Sequence, residues 1–428
     1  MKLILKKITI ILIFLTILYS FSSNIINNLI STARDRDSAW NCNNDNNLNH
    51  VILKVSAISG KIHIDGNSGW FDFRSDGNCT GYGTFSDPYV IKDLVIDGDG
   101  SGGSCIFIEN SDVYFRIENC TVYNSFYSYA GIDLQNCSNG LLINNNCSSN
   151  YFGISLYNNQ NNNISGNRAN NNYFGIRLYE SRNNIISNNT ANDCVEGIKL
   201  LSYCDYNEII GNNANNNENG ISLYDSKYNF ISGNEMNGND AGLYILGSHH
   251  NNYSGNIANH NYVHGIFLHR SNFNTFFGTK VKFNHYGILV SLSNDNTISG
   301  ISAGENDFGL VVSDSNRNTI SNNNVNNNSE DGISLYDCDH SKITENTINN
   351  NSNGIYLYES SYNTISGNLL LGNDNCIVEI NCQGNIFSDN SSCFNVQDVG
   401  LIPGYNILFL LSILSLVVIL LSKKGKKL

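Results

Sequence analysis

Gly332 to Asn346 reads G-I-S-L-Y-D-C-D-H-S-K-I-T-E-N, and 22 residues later Gly354 to Asn368 reads G-I-Y-L-Y-E-S-S-Y-N-T-I-S-G-N. The same unit stands earlier as G-I-S-L-Y at Gly153, G-I-R-L-Y at Gly175, G-I-K-L-L at Gly197 and G-I-S-L-Y at Gly220. Working outward, the glycine position recurs at Cys105, Gly131, Gly153, Gly175, Gly197, Gly220, Gly242, Gly265, Gly287, Gly309, Gly332, Gly354 and Cys376. From Gly131 on the intervals are 22 or 23. A fixed period of this size marks a solenoid, in which each repeat buries its apolar residues only against its neighbours.

Each unit holds three short apolar segments. The first is G-I-x-L, the second N-x-I-S-G, and the third a shorter N-x-A/V/I such as Asn167-Arg168-Ala169 or Asn324-Val325. All are too short for helices, alternate with period two, and end in Asn or Gly, which tolerate the left-handed backbone of tight turns. Three strands and three turns per unit make one coil of a parallel β-helix, with stacked Asn side chains able to hydrogen-bond from coil to coil. A leucine-rich horseshoe has a similar period, but its L-x-x-L-x-L frame is absent.

The pattern from Gly81 to about Asn390 resembles the NosD-like and related right-handed β-helix proteins of the pectate-lyase-like superfamily. G-T-F-S-D-P-Y-V-I at Gly83 to Ile91 and I-D-G at Ile96 to Gly98 are similar to the openings of archaeal members. I-P-G-Y at Ile402 to Tyr405, followed by a hydrophobic run and lysines, resembles an archaeal C-terminal surface-sorting signal. The resemblance implies an all-β, right-handed parallel β-helix of about 13 coils with three short strands each. It implies little about activity, because the fold hosts lyases, hydrolases, adhesins and binding proteins.

Residues 1–23 read as a secretory signal, with Lys2, Lys6 and Lys7 before the apolar run Ile8 to Tyr19. A polar segment follows at 24–50, then a cap with the first coils at 51–104, the repeats at 105–395 and a linker at 396–400. Leu401 to Leu421 is long enough to span a bilayer, and lysines in the tail 422–428 place the C-terminus in the cytoplasm. The chain is thus expected to be a single-pass, monomeric protein on the outer face of the membrane. Twelve cysteines fit an oxidising setting. A net charge of −13 in 428 residues argues against nucleic acid as a partner.

Alternation turns the residues two and four after each Gly outward. This column holds Tyr157, Tyr179, Tyr224, Tyr244, Phe267, Tyr336, Tyr356 and Tyr358, an aromatic ladder suited to a polysaccharide or surface glycan. Aromatic residues covering a sheet face would give the same pattern. Acids recur one step on, among them Glu180, Asp337 and Glu359. The last two lie in adjacent coils, about 5 Å apart, which suits a retaining glycosidase pair or, with Arg177 or Lys199 as base, a calcium-assisted lyase. The alternative is a solvated turn. The N-T-D, D-D and G-H-G motifs of β-helix galacturonases are absent. Six of nine histidines crowd three coils, and His264, His269 and His285 are the candidate copper ligands; exposed turn residues are the alternative. Three readings therefore stand: a glycan-binding or structural protein of the envelope, an enzyme on polysaccharide, and a copper-binding protein.

Overall fold

The computed structural model describes residues 57–393. The expected signal, polar segment, linker, membrane span and basic tail lie outside the described residues. Among the described residues no helix is long and apolar enough to cross a membrane.

From Ala130–Gln135 onward each unit gives one six-residue strand to sheet I, which runs from Ile62–Asp65 to Asn375–Ile380. A second short strand joins sheet II, from Tyr89–Lys92 to Ile386–Ser388. Both sheets have 14 parallel strands in chain order, and equal positions pair: Ile154 with Ile176, Ile176 with Ile198. The chain is a parallel β-helix of 14 turns, one more than the repeats predict. The additional turn is carried by Ile62–Asp65, where Lys61 stands at the position that holds Gly or Cys in the others.

The third strand is largely absent. Ala57–Ser59, Leu94–Asp97 and Thr121–Tyr123 form a small sheet, and Lys280–Lys282 pairs with Ser302–Gly304. Most other turns keep a single bridged residue there, as in Arg168, Thr190 and Asn213. The segment N-x-A has one inward side chain, such as Ala169 or Ala191, and too few residues to build a ladder.

Inward Ile and Leu columns fill the coil, with Ile154, Ile176, Ile198 and Ile221 fully buried. The leading glycine is a packing requirement: a Cβ on Gly220 would sit 2.6 Å from the Gly242 carbonyl oxygen of the next turn.

Asn serves two purposes. Outward Asn and Asp occupy left-handed corner positions, such as Asn158 (φ 54°) and Asn183 (φ 55°). Inward Asn forms buried ladders. Asn234 Oδ1 accepts from the Asn212 backbone N–H at 2.9 Å and its Nδ2 at 3.0 Å, and Asn234 Nδ2 donates to the Ile209 carbonyl at 2.8 Å. Each rung satisfies backbone groups that the turn leaves without a strand partner.

A further inward column holds mostly Ser and Cys, including Cys137, Ser181, Cys204, Ser226 and Cys338. The Cys338 thiol lies 3.4 Å from the Val312 carbonyl and 3.1 Å from that of Tyr336. Burial pushes this thiol up to about 12. Nine described cysteines are unpaired, and Cys376 bridges Cys393. The cysteines of this column are small buried side chains, so their number reflects packing as well as compartment.

Helix α1, Gly66–Ser75, closes the opening turns. Its Trp70 is fully buried, stacks on Tyr89 at 5.2 Å, and donates from Nε1 to Ser111 Oγ at 3.0 Å. The sequence G-N-S-G-W gives no helical signal, so the sequence places this element only within the expected cap at 51–104.

Candidate functional site

The outward face of sheet I carries the predicted ladder, but its rings are used against one another. Successive coils lie about 4.8 Å apart, and Tyr157 stacks on Tyr179 at 5.4 Å with planes 12° apart. Tyr244 sits 5.7 Å from Tyr224 and 5.3 Å from Phe267, and Tyr336 5.7 Å from Tyr356 and 6.4 Å from Tyr358. Tyr157 is 42% exposed; the others of the predicted set are half-buried. A ladder of this kind shows edges and hydroxyls rather than open faces.

The residue preceding the glycine also belongs to this face, which alternation alone did not reveal. Phe152 and Phe174 stack there at 5.4 Å, and Glu196 lies 2.6 Å from Lys199 Nζ. The Lys199 ammonium stands over the rings of Phe174 and Tyr224, and Ser222 donates to Glu196. The Arg177 guanidinium stands 4.9 Å from the Phe152 centroid and 5.4 Å from that of Tyr179. Two coils before it, burial pushes the Asp133 carboxyl up, and its Oδ1 is buried without a partner.

Beside this face, at the corner toward sheet II, lies a cleft of about 550 Å³ lined by Asp112, Asn158, Gln160, Glu180, Arg182 and Tyr203 among others. Local sequence creates it. Leu201 pairs with Tyr224 and Glu208 with Phe230, so this turn has one residue more than the next, and Ser202 and Tyr203 both take φ 56°. Tyr203 is 61% exposed and, unlike the ladder tyrosines, stacks on no ring among the described residues. Arg182 Nε donates to the Tyr203 carbonyl at 3.2 Å and lies 3.8 Å from Asp205. Glu180 follows Tyr179 directly, and its charge raises the Tyr179 hydroxyl pKa. Of the candidate catalytic residues, Glu180 is the one placed in a cleft. The irregular interval between Gly197 and Gly220 was the available signal for Tyr203.

Asp337 and Glu359 occupy successive exposed corners at φ 52° and φ 50°. The Asp337 carboxyl is raised by desolvation, then by the charge of Glu359 and of Asp314, and the two side chains are within hydrogen-bonding reach. No described cleft encloses them.

The histidines do not converge. His264 stacks on Phe267 at 4.8 Å and on Tyr286 at 5.6 Å, and burial lowers it to about 4. His285 Nδ1 is 2.6 Å from Asp307 Oδ2, while His269 stacks on Phe267. Among the described residues no group of three or more His, Cys, Asp or Glu is placed to hold a metal ion.

A second ring ladder, unforeseen, runs along another corner through Tyr206, Tyr228, His250 and Phe273, with centroids 5.1, 5.2 and 4.9 Å apart. Each precedes a rung of an inward Asn ladder, and that x-N period was its signal.

Among solved structures, the A-module of the Azotobacter vinelandii mannuronan C-5 epimerase AlgE6 is 12% identical over 72% of this chain and 89% of its own, with a TM-score of 0.39. The periplasmic alginate epimerase AlgG is 14% identical over 77% and 84%, at 0.38. Tailspike protein 3 of bacteriophage CBA120 is 9% identical over 76% and 55%, at 0.40. No curated protein sequence matches the chain. The family model described as periplasmic copper-binding protein (NosD) matches residues 86–264 and 248–404, nearly the whole solenoid, and the chain therefore belongs to the NosD family.

Proposed function

We propose that this protein is a cell-surface β-helix that binds a polysaccharide in the cleft beneath Tyr203 and along the adjoining edge of Tyr157 and Tyr179. The observation that carries the reading is the free ring of Tyr203 above a groove lined by carboxylate, amide and guanidinium groups. An open aromatic face with converging donors and acceptors is what a sugar ring requires, and the closed ladders of sheet I lack the open face. A location outside the cytoplasm agrees with the family's description and with the expected signal at 1–23. Membrane attachment through 401–421 and a cytoplasmic C-terminus belong to the same proposal.

The test is a panel of neutral and acidic polysaccharides against the full-length chain. Tyr203→Ala is expected to weaken the bound polymer roughly tenfold, as loss of a central aromatic contact does. Binding undiminished in that variant would refute the cleft. Cleavage of the polymer is a second reading, favoured by Glu180 in the cleft and by the raised carboxyl of Asp337 beside Glu359. It predicts turnover that disappears in Glu180→Gln or in Asp337→Asn.

Copper, which the family's description names, finds no group of three or more ligands among the described residues. His264 is packed between rings, His285 is bound to Asp307, and the buried thiols face backbone carbonyls. Met236, the methionine among the described residues, is fully buried in the core. The histidine cluster is better explained as stacking units of the ladders.

A further inference from the structure

Arg177 and Lys199 are the two lysine or arginine side chains in the outward columns of sheet I between Ala130 and Ile380. They stand in adjacent coils and pair in register, yet their circumstances differ. Lys199 is neutralised by Glu196 at 2.6 Å, and that carboxylate is fixed further by Ser222. Arg177 makes no ion pair or hydrogen bond with a carboxylate among the described residues, and the one acid whose carboxyl feels its charge is Asp133. Its guanidinium is held by the rings of Phe152 and Tyr179 alone. Asp133, the acid of the same column, lies two coils away with Ser155 between them. This half-buried cation beside two rings donates no hydrogen bond to a protein acceptor among the described residues, and a guanidinium fork matches a carboxylate bidentately.

Resting on the glycan reading above, we propose that the bound polysaccharide is acidic and that a sugar carboxylate, as in a uronate, seats on Arg177. A polymer leaving the cleft by Glu180 passes the edge of Tyr179 and meets Arg177 in the same strand, Phe174–Tyr179. One isolated cation on a chain of net charge −13 suits a contact with one carboxylate better than a densely sulfated chain, which the overall charge would repel.

The experiment compares polygalacturonate, its carboxyl-reduced counterpart, a neutral glucan and dextran sulfate against the full-length chain by calorimetry. Expected is binding of a polyuronate, at least tenfold weaker once its carboxyls are reduced. Arg177→Gln should show the same loss, and Arg177→Lys a smaller one because the fork is gone. Arg317→Gln, at a different corner beside Asp295, serves as the unaffected control, with melting curves checking that each variant folds. Equal binding of reduced and native polymer, or unchanged binding in Arg177→Gln, overturns the carboxylate assignment and leaves the glycan reading intact. Preference for dextran sulfate overturns it too. If no polysaccharide binds, the glycan reading fails and this inference with it.

Discussion

The two sides of one strand in sheet I follow opposite rules. Inward, the strand Asn219–Tyr224 presents Ile221 and Leu223, and its neighbours present Ile198 and Leu200, or Leu243 and Ile245, coil after coil. Outward, the residues paired with Ser222 are Lys199 on one side and Tyr244 on the other. The inner columns repeat because every turn meets the same turn above and below it, at fixed spacing and in a dry interior. The outer columns pack on one another but face solvent on one side, so their identities are less constrained and can record something other than the fold. What differs from coil to coil, and not what recurs, is where function has to be sought.

That contrast can be broken first from the inside. Asn234→Leu removes an acceptor for the Asn212 N–H and a donor for the Ile209 carbonyl, both buried. Leaving two buried backbone groups unmatched costs about 1–3 kcal/mol each, so a loss of roughly 2–6 kcal/mol is expected in chemical denaturation. A loss no greater than that of an outward substitution would show that the ladders do not carry the interior.

Gly220→Ala is a smaller intrusion. Its new Cβ meets the Gly242 carbonyl oxygen at 2.6 Å, and the coils must separate or tilt to admit it. Overpacking of this sort costs about 1–3 kcal/mol. A variant as stable as the parent would mean that coil spacing yields more readily than the repeated glycine implies.

His264 sharpens the comparison, because it is an outward residue that has become part of the packing. Burial lowers its folded pKa from 6.5 to about 4. Between those values the unfolded chain binds the proton and the folded chain does not, so stability falls as pH drops from about 6.5 and levels off below about 4. Discounted for its partial exposure, the effect is about 1–2 kcal/mol. Melting curves at pH 7 and pH 4.5 should differ less in His264→Phe than in the parent. An equal difference would show that the ring stack leaves the imidazole solvated.

Sequence legibility follows the same division. The glycine-led unit, the Asn ladders and the turn spacing were all readable, since each is set by contacts with an identical neighbour. The opening strand at Ile62–Asp65 fell within the expected cap and first coils at 51–104, but was not counted as a repeat because Lys61 stands where the others have Gly or Cys. Helix α1 escaped because Trp70 is held by Tyr89, Phe115 and Ser111, all distant in sequence. The ladder tyrosines were named correctly as outward residues, but their stacking on each other, which takes up their faces, depends on side-chain rotation that a periodicity does not contain. The pairing of Lys199 with Glu196, and the lack of one for Arg177, likewise needed coordinates.

The smallest expected effect on stability separates the two sides most cleanly. Tyr203 is exposed, follows no repeat position, and is held in a left-handed conformation at φ 56°. Tyr203→Ala keeps a Cβ, and with it the same backbone cost, so stability should change by no more than about 0.5 kcal/mol. Tyr203→Gly removes that left-handed cost of roughly 1–2 kcal/mol. It also loosens the unfolded chain by about 0.5–1 kcal/mol, and should therefore be at least as stable as the Ala variant. Both changes strip the aromatic face from the cleft, so both should weaken polysaccharide binding alike. Stability that holds or rises while binding falls is the signature of a residue kept for its surface chemistry. If binding instead tracks stability through the two variants, Tyr203 belongs with the inner columns and the division drawn here between packing and function is misplaced.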